Sequence, residues 1–385
     1  MKLAWFRHAG LDAANPLDDT AGVIGQLGRE HSIAVVTRAT AHDFVWRHFR
    51  HPYDLCVFEL DNTADHAFVW PYLLHYPGLV LLRASSLHDS RADALIRQQR
   101  RRDYIEEFIF SEGRRTWFTD GRDGEPRGSW PMLRIPLAAA RLTAVLSRSA
   151  ARSLQESYPW ARVRYAPPGI AAPASPTGAP RRVPDSGRPP IFGTLTSLAT
   201  DMVQKAASRA RDSGTPIELV TADSADRLLQ DADVILALRW PSFAIADPLP
   251  LAAMAAGKPF VVFETASTAE WPLLDPQTWQ PRGGAGASVG VSVDVRDAEH
   301  SLMLALRRLA ADAALRSAAG AAGLAWWQAH ATVEHAAAAW PSLLAEAASL
   351  EAAHPAGWPG HLQADGTERA RSILRDAGAS VDLFD

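Results

Sequence analysis

The chain has 385 residues, too many for one ordinary hydrophobic core, and its balance of 47% hydrophobic to 21% charged residues is that of a folded globular protein. A formal net charge of −4 provides no basic field to gather phosphates, which argues against a nucleic-acid partner. The single cysteine, Cys56, lies in an apolar run, so a disulfide framework and a cysteine zinc site are excluded; no apolar run has the length of a membrane span, and the opening MKLAWFRHAG turns polar too soon for a signal segment. A cytoplasmic protein of two domains is expected.

Taken in chain order, Lys2 to Phe6 reads as a buried strand, followed by a polar loop from Arg7 to Asp19. Thr20 is placed to cap a helix running to Arg29, and Ile33 to Val36 is the next strand. Further strands are expected at Tyr53 to Leu60 and Leu79 to Leu82, with a helix from Ala64 to His75 between them. One long helix is predicted from about Ser86 to Phe110. It carries Arg97, Arg100, Arg101 and Arg102, which could meet an anionic membrane surface; Asp103, Glu106 and Glu107 neutralise them within a turn, so a solvated face is the preferred reading. Leu142 to Leu146, Ser149 to Ser157 and Val163 to Tyr165 give strand, helix and strand. Alternating elements with near-continuous apolar strands predict a doubly wound parallel sheet over residues 1–166.

Residues 167–190, PPGIAAPASPTGAPRRVPDSGRPP, are too rich in proline for a helix or central strand and read as a linker. A second α/β domain follows over 191–350. Strands are predicted at Ile191 to Leu195, Pro216 to Thr221 and Ala287 to Val293, helices at Asp201 to Arg211 and Ala225 to Asp231, and then three helices between Ala298 and Leu350. The tail, 351–385, holds one more helical segment, Thr367 to Ala377, and is expected to pack back or remain partly mobile.

The most informative stretch runs from Val234 to Pro272. A strand, Val234 to Leu238, breaks at Arg239-Trp240-Pro241; a small-residue helix, Leu249 to Ala256, is closed by Gly257; a second strand, Phe260 to Phe263, ends on Glu264. This is a βαβ unit, and ligands of such sheets lie beyond the carboxyl ends of the strands, where Arg239 and Glu264 fall.

These segments together resemble the glycosyltransferases of GT-B fold, in particular the family 4-like group. Ala67-Phe68-Val69-Trp70-Pro71-Tyr72-Leu73-Leu74, Tyr76-Pro77-Gly78 and Leu87-His88 are similar to its N-terminal signature. Leu238-Arg239-Trp240-Pro241, Ala253-Met254-Ala255 and Gly257-Lys258-Pro259, followed by Glu264, Glu270 and Pro272, are similar to its donor-site signature. Leu315-Arg316, Gly320, Trp326-Trp327 and His330 are similar to its last helices. The resemblance implies two Rossmann-like domains facing a cleft, an acceptor on the first and a nucleotide sugar on the second. It also implies retention of configuration and no metal, the departing diphosphate being met by basic side chains and helix N-termini. The donor would be a UDP- or GDP-sugar, with no bound cofactor, and the acceptor a glycan, lipid or small molecule.

The chain departs from that pattern where the family grips its donor. Apolar Ala244, Ile245 and Ala252 stand where two glutamates are usual; Ala199 or Thr200 stands in place of the diphosphate-clamping base; Arg83-Ala84 replaces a histidine-aspartate pair; and Asp12 to Asp19, with Pro16, replaces a glycine-rich loop. Two lost charge-assisted hydrogen bonds amount to roughly 3–6 kcal/mol, or about a hundred- to ten-thousandfold in affinity.

The expected donor-binding set is Gly193, Arg239, Asp247, Lys258, Glu264 and Glu270. Arg239 would meet a diphosphate bidentately or else pair with Asp233 or Glu264. Glu264 would accept from sugar hydroxyls or cap a helix, Glu270 more commonly makes a structural contact, and Gly193 would let the backbone approach phosphate. On the acceptor side stand Arg83, His88 and Asp89, with His88 as the candidate catalytic base or a helix-start histidine bonded to backbone. His66 and His75 read as structural, and no set of His, Asp and Glu has metal-ligand spacing in the sequence. Trp117 and Trp130 would wall a sugar-stacking lid in loop 111–130 or pack within it. Two other readings compete: a catalytically silent homologue serving as a binding or partner subunit, and a sugar-phosphate isomerase or epimerase using His88 with Glu264 across the cleft.

Overall fold

A computed structural model describes residues 1–10, 12, 15–113, 130–173, 188–198, 200–283, 286–351, 357–363 and 367–381. The expected lid around Trp117, most of the linker and Ala199 lie outside the described residues.

Six strands form the first sheet: β1 (Lys2–Phe6), β2 (Ser32–Val36), β3 (Leu55–Leu60), β4 (Leu79–Leu82), β5 (Leu142–Val145) and β6 (Val163–Tyr165). All pairs are parallel, in the order β2-β1-β3-β4-β5-β6. Seven form the second: β7 (Ile191–Leu195), β8 (Glu218–Ala222), β9 (Val234–Ala237), β10 (Phe260–Phe263), β11 (Leu273–Leu274), β12 (Pro281–Arg282) and β13 (Gly290–Val293). Their order is β12-β11-β13-β10-β9-β7-β8, parallel except for the short β11–β12 pair. The expected class holds: α/β, with two doubly wound Rossmann-like sheets. Helices cover both faces, so β3, β4, β5, β7, β9, β10 and β13 are buried along their whole length.

Several elements differ from the sequence reading. The long helix predicted from Ser86 to Phe110 is two helices, His88–Arg97 and Arg101–Glu112, broken where Gln99 takes a left-handed φ of 59°. The turn folds the second helix back on the first, so that Arg91 reaches the buried Glu107. The segment from Ala64 to His75 opens as a single tight turn before the helix Val69–His75, in which Pro71 is tolerated because its place in the first turn needs no N–H. Thr20 precedes the helix Ala21–Leu27 but its side chain does not cap it; Asp18 Oδ1 accepts from the Ala21 amide instead, at 2.9 Å. An unexpected helix, Ala41–Arg50, buries only Ala41 and Phe44.

The last long helix, Val333–Ser349, returns from the second sheet to the first. Trp340 packs on Trp5 with ring centroids 4.8 Å apart and the planes tilted by 43°, and Ala336, Leu343 and Leu344 join the same core. Residues 357–363 of the tail also pack on the first half, where Trp358 meets Phe110 edge-on at 5.5 Å. Among the described residues no helix is long and apolar enough to cross a membrane.

Candidate active-site cleft

The two sheets meet at their carboxyl ends. Just past β4, the Ser85 amide donates to the Phe243 carbonyl (2.7 Å) and the Arg83 carbonyl accepts from the Ile245 amide (2.8 Å), flanking an antiparallel bridge between Ala84 and Ala244. The loop after β9 is thereby stitched to the loop after β4, and Ile245, only 3% exposed, enters the core of the first half. A second contact lies past β5. Glu270 Oε1 accepts from the Ser149 amide and from Ser147 Oγ (2.9 Å), at the start of the helix Arg148–Ser157. A carboxylate at that end is favoured by the unpaired amides and the helix dipole. Glu270, expected among the donor ligands, is thus engaged in holding the halves together.

Beside these contacts a cavity of about 410 Å³ opens at the carboxyl ends of β9, β10 and β13. Its wall includes Trp240, Glu264, Thr265, Asp294 and Arg296. Trp240, in a cis peptide with Pro241, is 58% exposed and lies edge-on to Phe263. Glu264 accepts from Arg282 Nη1 at 2.6 Å, and Arg282 also pairs with Asp275. Arg296 donates to Asp294, and its side-chain and backbone hydrogen bonds hold that carboxyl below its ordinary pKa. Arg239 is half-exposed, and its recorded partner is Asp247, with Nε and Oδ2 at 3.5 Å, rather than Asp233 or Glu264. This contact is long enough to yield to a better anion.

The helix Pro248–Ala255 behind this wall presents an unusual N-terminus. Its first and third positions are Pro248 and Pro250, which have no N–H, and the Leu249 amide between them donates to Asp247 Oδ1 at 3.1 Å. The first-turn amides that would hold a diphosphate are therefore absent or occupied, a departure visible in the sequence as Asp247-Pro248-Leu249-Pro250. A charge on a ligand here finds no free amide at this helix start.

Two expected donor residues lie elsewhere. Lys258 precedes β10, at the amino ends of the strands, and its Nζ donates to the Ala232 carbonyl. Gly193 sits within β7, where an added Cβ would lie 2.5 Å from both Ala232 Cβ and Leu228 Cδ1; it admits the helix Ala225–Asp231 against the sheet, not a phosphate.

On the first half the charged groups are paired among themselves. Arg83 grips Asp19 bidentately (2.6 and 3.0 Å), and Arg7 grips Asp18 (2.9 Å to each oxygen). Glu59, buried in β3, accepts from Trp5 Nε1 (2.8 Å) and Thr20 Oγ1 (3.0 Å). Burial opposes the charge on Arg83, but Asp19, Glu59 and Asp61 outweigh it and raise its pKa. Burial likewise opposes the charge on Asp18, and Arg7 with the Ala21 and Thr20 amides outweighs it, leaving its pKa low. These carboxylates replace the glycine-rich loop and occupy the cations an anionic ligand would use. Sequence reasoning missed Arg7, Asp18, Asp19 and Glu59; the signal available was a lone acid in the run Leu55–Leu60 and paired aspartates facing an arginine just past β1.

His88 does not face the cleft. It is 5% exposed, and its Nε2 shares a hydrogen bond with Tyr104 Oη at 2.8 Å, beside Phe108. Its side chain bonds Tyr104, and among the described residues no His88–Glu264 pair spans the cleft. Asp89 accepts from Asn62 Nδ2 at 3.1 Å. Trp130 packs on Phe108 at 5.3 Å instead of standing as a cleft wall. Among the described residues, the one group of three side chains able to share a metal ion is Asp103, Glu106 and His361, remote in sequence and on the helix Arg101–Glu112 and the tail.

No protein-family model and no curated protein matches the sequence. Solved structures do match the fold. Anabaena Alr3699/HepE in complex with UDP and glucose superimposes with a TM-score of 0.53 at 10% identity, over 90% of this chain and 99% of that one. Its complex with UDP-glucose gives 0.52 at 10% identity over the same shares. WaaG, a glycosyltransferase involved in lipopolysaccharide biosynthesis, gives 0.50 at 12% identity, over 87% and 98%. The likeness establishes the GT-B fold, two Rossmann-like domains facing one another.

Proposed function

We propose that this GT-B protein is a glycosyltransferase that takes a nucleotide sugar into the cavity at the carboxyl ends of β9, β10 and β13 and transfers the sugar to an acceptor held by the first half. One observation carries the reading: two doubly wound sheets meet at their carboxyl ends, with an open cavity on the second walled by an exposed aromatic, two carboxylates and an arginine. Trp240 offers a face for the base, and Glu264 or Asp294 a carboxylate for ribose hydroxyls. Arg239 turns from Asp247 to the diphosphate and stabilises it as the acceptor hydroxyl attacks the anomeric carbon. Retention of configuration and independence from metal are proposed on the resemblance alone. The complexes of the Anabaena protein with UDP and UDP-glucose favour a uridine donor over a guanosine one.

The test is a calorimetric titration with UDP, GDP and their glucose conjugates. UDP is expected to bind more tightly than about 100 μM, roughly −5.5 kcal/mol. Arg239→Ala, which removes a charge-assisted hydrogen bond of roughly 1.5–3 kcal/mol, is expected to weaken binding about 10- to 100-fold. No heat with any nucleotide, from a folded sample, would refute the proposed site.

A silent partner subunit is the second reading. It is favoured by the blocked helix start at Asp247, Pro248 and Pro250, and by Ala244 and Ala252 in place of the usual glutamates. It separates from the first by turnover, not by binding.

For the acceptor side we propose contact with an anionic membrane surface, through a different element from the arginine cluster first considered. Arg97, Arg100 and Arg102 pair with Asp93, Asp103 and Glu106. The helix Ala41–Arg50 instead exposes Trp46 (64%), Phe49 (78%) and Val45 (46%) beside Arg47 and Arg50, the composition of an interfacial helix.

A further inference from the structure

We propose that Asp103, Glu106 and His361 form a divalent-cation site of zinc type that fastens the C-terminal segment to the first half of the molecule. The helix Arg101–Glu112 places Asp103 and Glu106 one turn apart on one face. His361, on the short helix Gly360–Gln363, is brought over them by the packing of Trp358 on Phe110. Its Nδ1 lies 3.8 Å from Asp103 Oδ1 and 3.7 Å from Glu106 Oε2, and the three ligand atoms lie within 4.8 Å of one another. Ligands at about 2.0–2.2 Å from a tetrahedral ion stand roughly 3.3–3.6 Å apart, so a small contraction closes the set.

The surroundings fix the chemistry of each ligand. His361 Nε2 lies 2.8 Å from Glu107 Oε1, and Glu107 is fully buried and held by Arg91 through both its Nε (2.6 Å) and its Nη2. With Arg91 donating to both of its oxygens, Glu107 meets His361 as an acceptor, so Nε2 carries a hydrogen and Nδ1 is the ring atom turned toward Asp103 and Glu106. That Nδ1 is buried and has no hydrogen-bond partner among the described residues. An imidazole nitrogen and two carboxylate oxygens converging in this way form a set that a divalent cation would satisfy. Carboxylate, histidine and metal in line is the arrangement by which proteins orient a ligating imidazole. Arg100 and Arg102 take the outer oxygens of Asp103 and Glu106 (2.6 and 3.0 Å), leaving the inner ones for the ion. One imidazole with two carboxylates suits Zn²⁺ better than Ca²⁺ or Mg²⁺, which prefer all-oxygen shells.

The site lies outside the cleft, so its test is independent of any transferase activity. The full-length chain, stripped with a chelator and dialysed, is titrated with ZnCl₂ and separately with MgCl₂ by calorimetry, and its unfolding temperature is followed. One equivalent of Zn²⁺ is expected to bind and to raise the unfolding temperature, with Mg²⁺ at least 100-fold weaker. The double variant Asp103→Asn/Glu106→Gln keeps the shape and the His361–Glu107 bond, and is expected to lose that equivalent and the thermal shift. Zinc uptake unchanged in the double variant, or no uptake by the folded wild-type chain, would overturn the proposal.

Discussion

Arg239 and Asp247 show how little of a site's chemistry lies in residue type alone. An arginine just past a buried strand was bound to find an acceptor, and the loop supplied one from Asp247, eight residues on, which no spacing rule selects. Lys258 was a donor ligand by motif, yet a residue ahead of a parallel strand stands at its amino end, away from the ligand side, and that much could be read from the strand's position. Gly193 was legible as a special position but for the wrong reason, since the partner that needs the missing Cβ is a helix whose docking only the fold reveals. His66, read as structural, gives a sharper test. Burial lowers its pKa to about 4, with Nδ1 bonded to Thr63 Oγ1 at 2.9 Å. The unfolded ring titrates near 6.5, so between about pH 6.5 and 4 the unfolded chain binds more protons and stability falls as pH falls. The loss is expected to reach about 2 kcal/mol at pH 5 relative to pH 7.5. Urea unfolding at the two pH values should show that share of the acid slope absent in His66→Gln; an unchanged slope would contradict the assignment.

At the scale of elements, the strands were the most legible features, because burial on both faces demands near-continuous apolar runs and eight of the thirteen are buried along their whole length. Helices were harder where polar periodicity continued across a break: Gln99 interrupts a pattern that reads as one helix, and the consequence is the buried Arg91–Glu107 pair. The helix Ala41–Arg50 was missed because its large apolar residues face outward, so its pattern lacks a core stripe. That outward face is what the membrane proposal rests on. Wild-type protein is expected to co-sediment with vesicles containing anionic phospholipid, less so as salt rises, and Trp46→Ser/Phe49→Ser to remain in solution with its unfolding temperature unchanged. Equal sedimentation of both proteins would remove this helix from any membrane contact.

At the scale of the molecule, the alternation of strands and helices made the two Rossmann-like halves readable, while their mutual arrangement was not. The bridge at Ala84 and Ala244, the Glu270 contact at Ser147 and Ser149, and the return of Val333–Ser349 to the first sheet, where Trp340 meets Trp5, join residues at least 121 positions apart. The same long-range folding assembles Asp103, Glu106 and His361, which no local spacing announced. It also sets the question the cleft raises. The halves are stitched at the bridge and at Glu270, and the helix Pro248–Ala255 has no free first-turn amides, yet a cavity walled by an aromatic, two carboxylates and an arginine opens on the second half. The decisive measurement is release of UDP from UDP-glucose by the purified full-length chain, followed with and without added acceptor sugars. A transferase is expected to release UDP slowly above the protein-free background, faster with a suitable acceptor, and about 10- to 100-fold less in Arg239→Ala. UDP-glucose left intact by folded protein at concentrations equal to the donor, with every acceptor class, would contradict the transferase assignment and leave a nucleotide-binding or silent partner in its place.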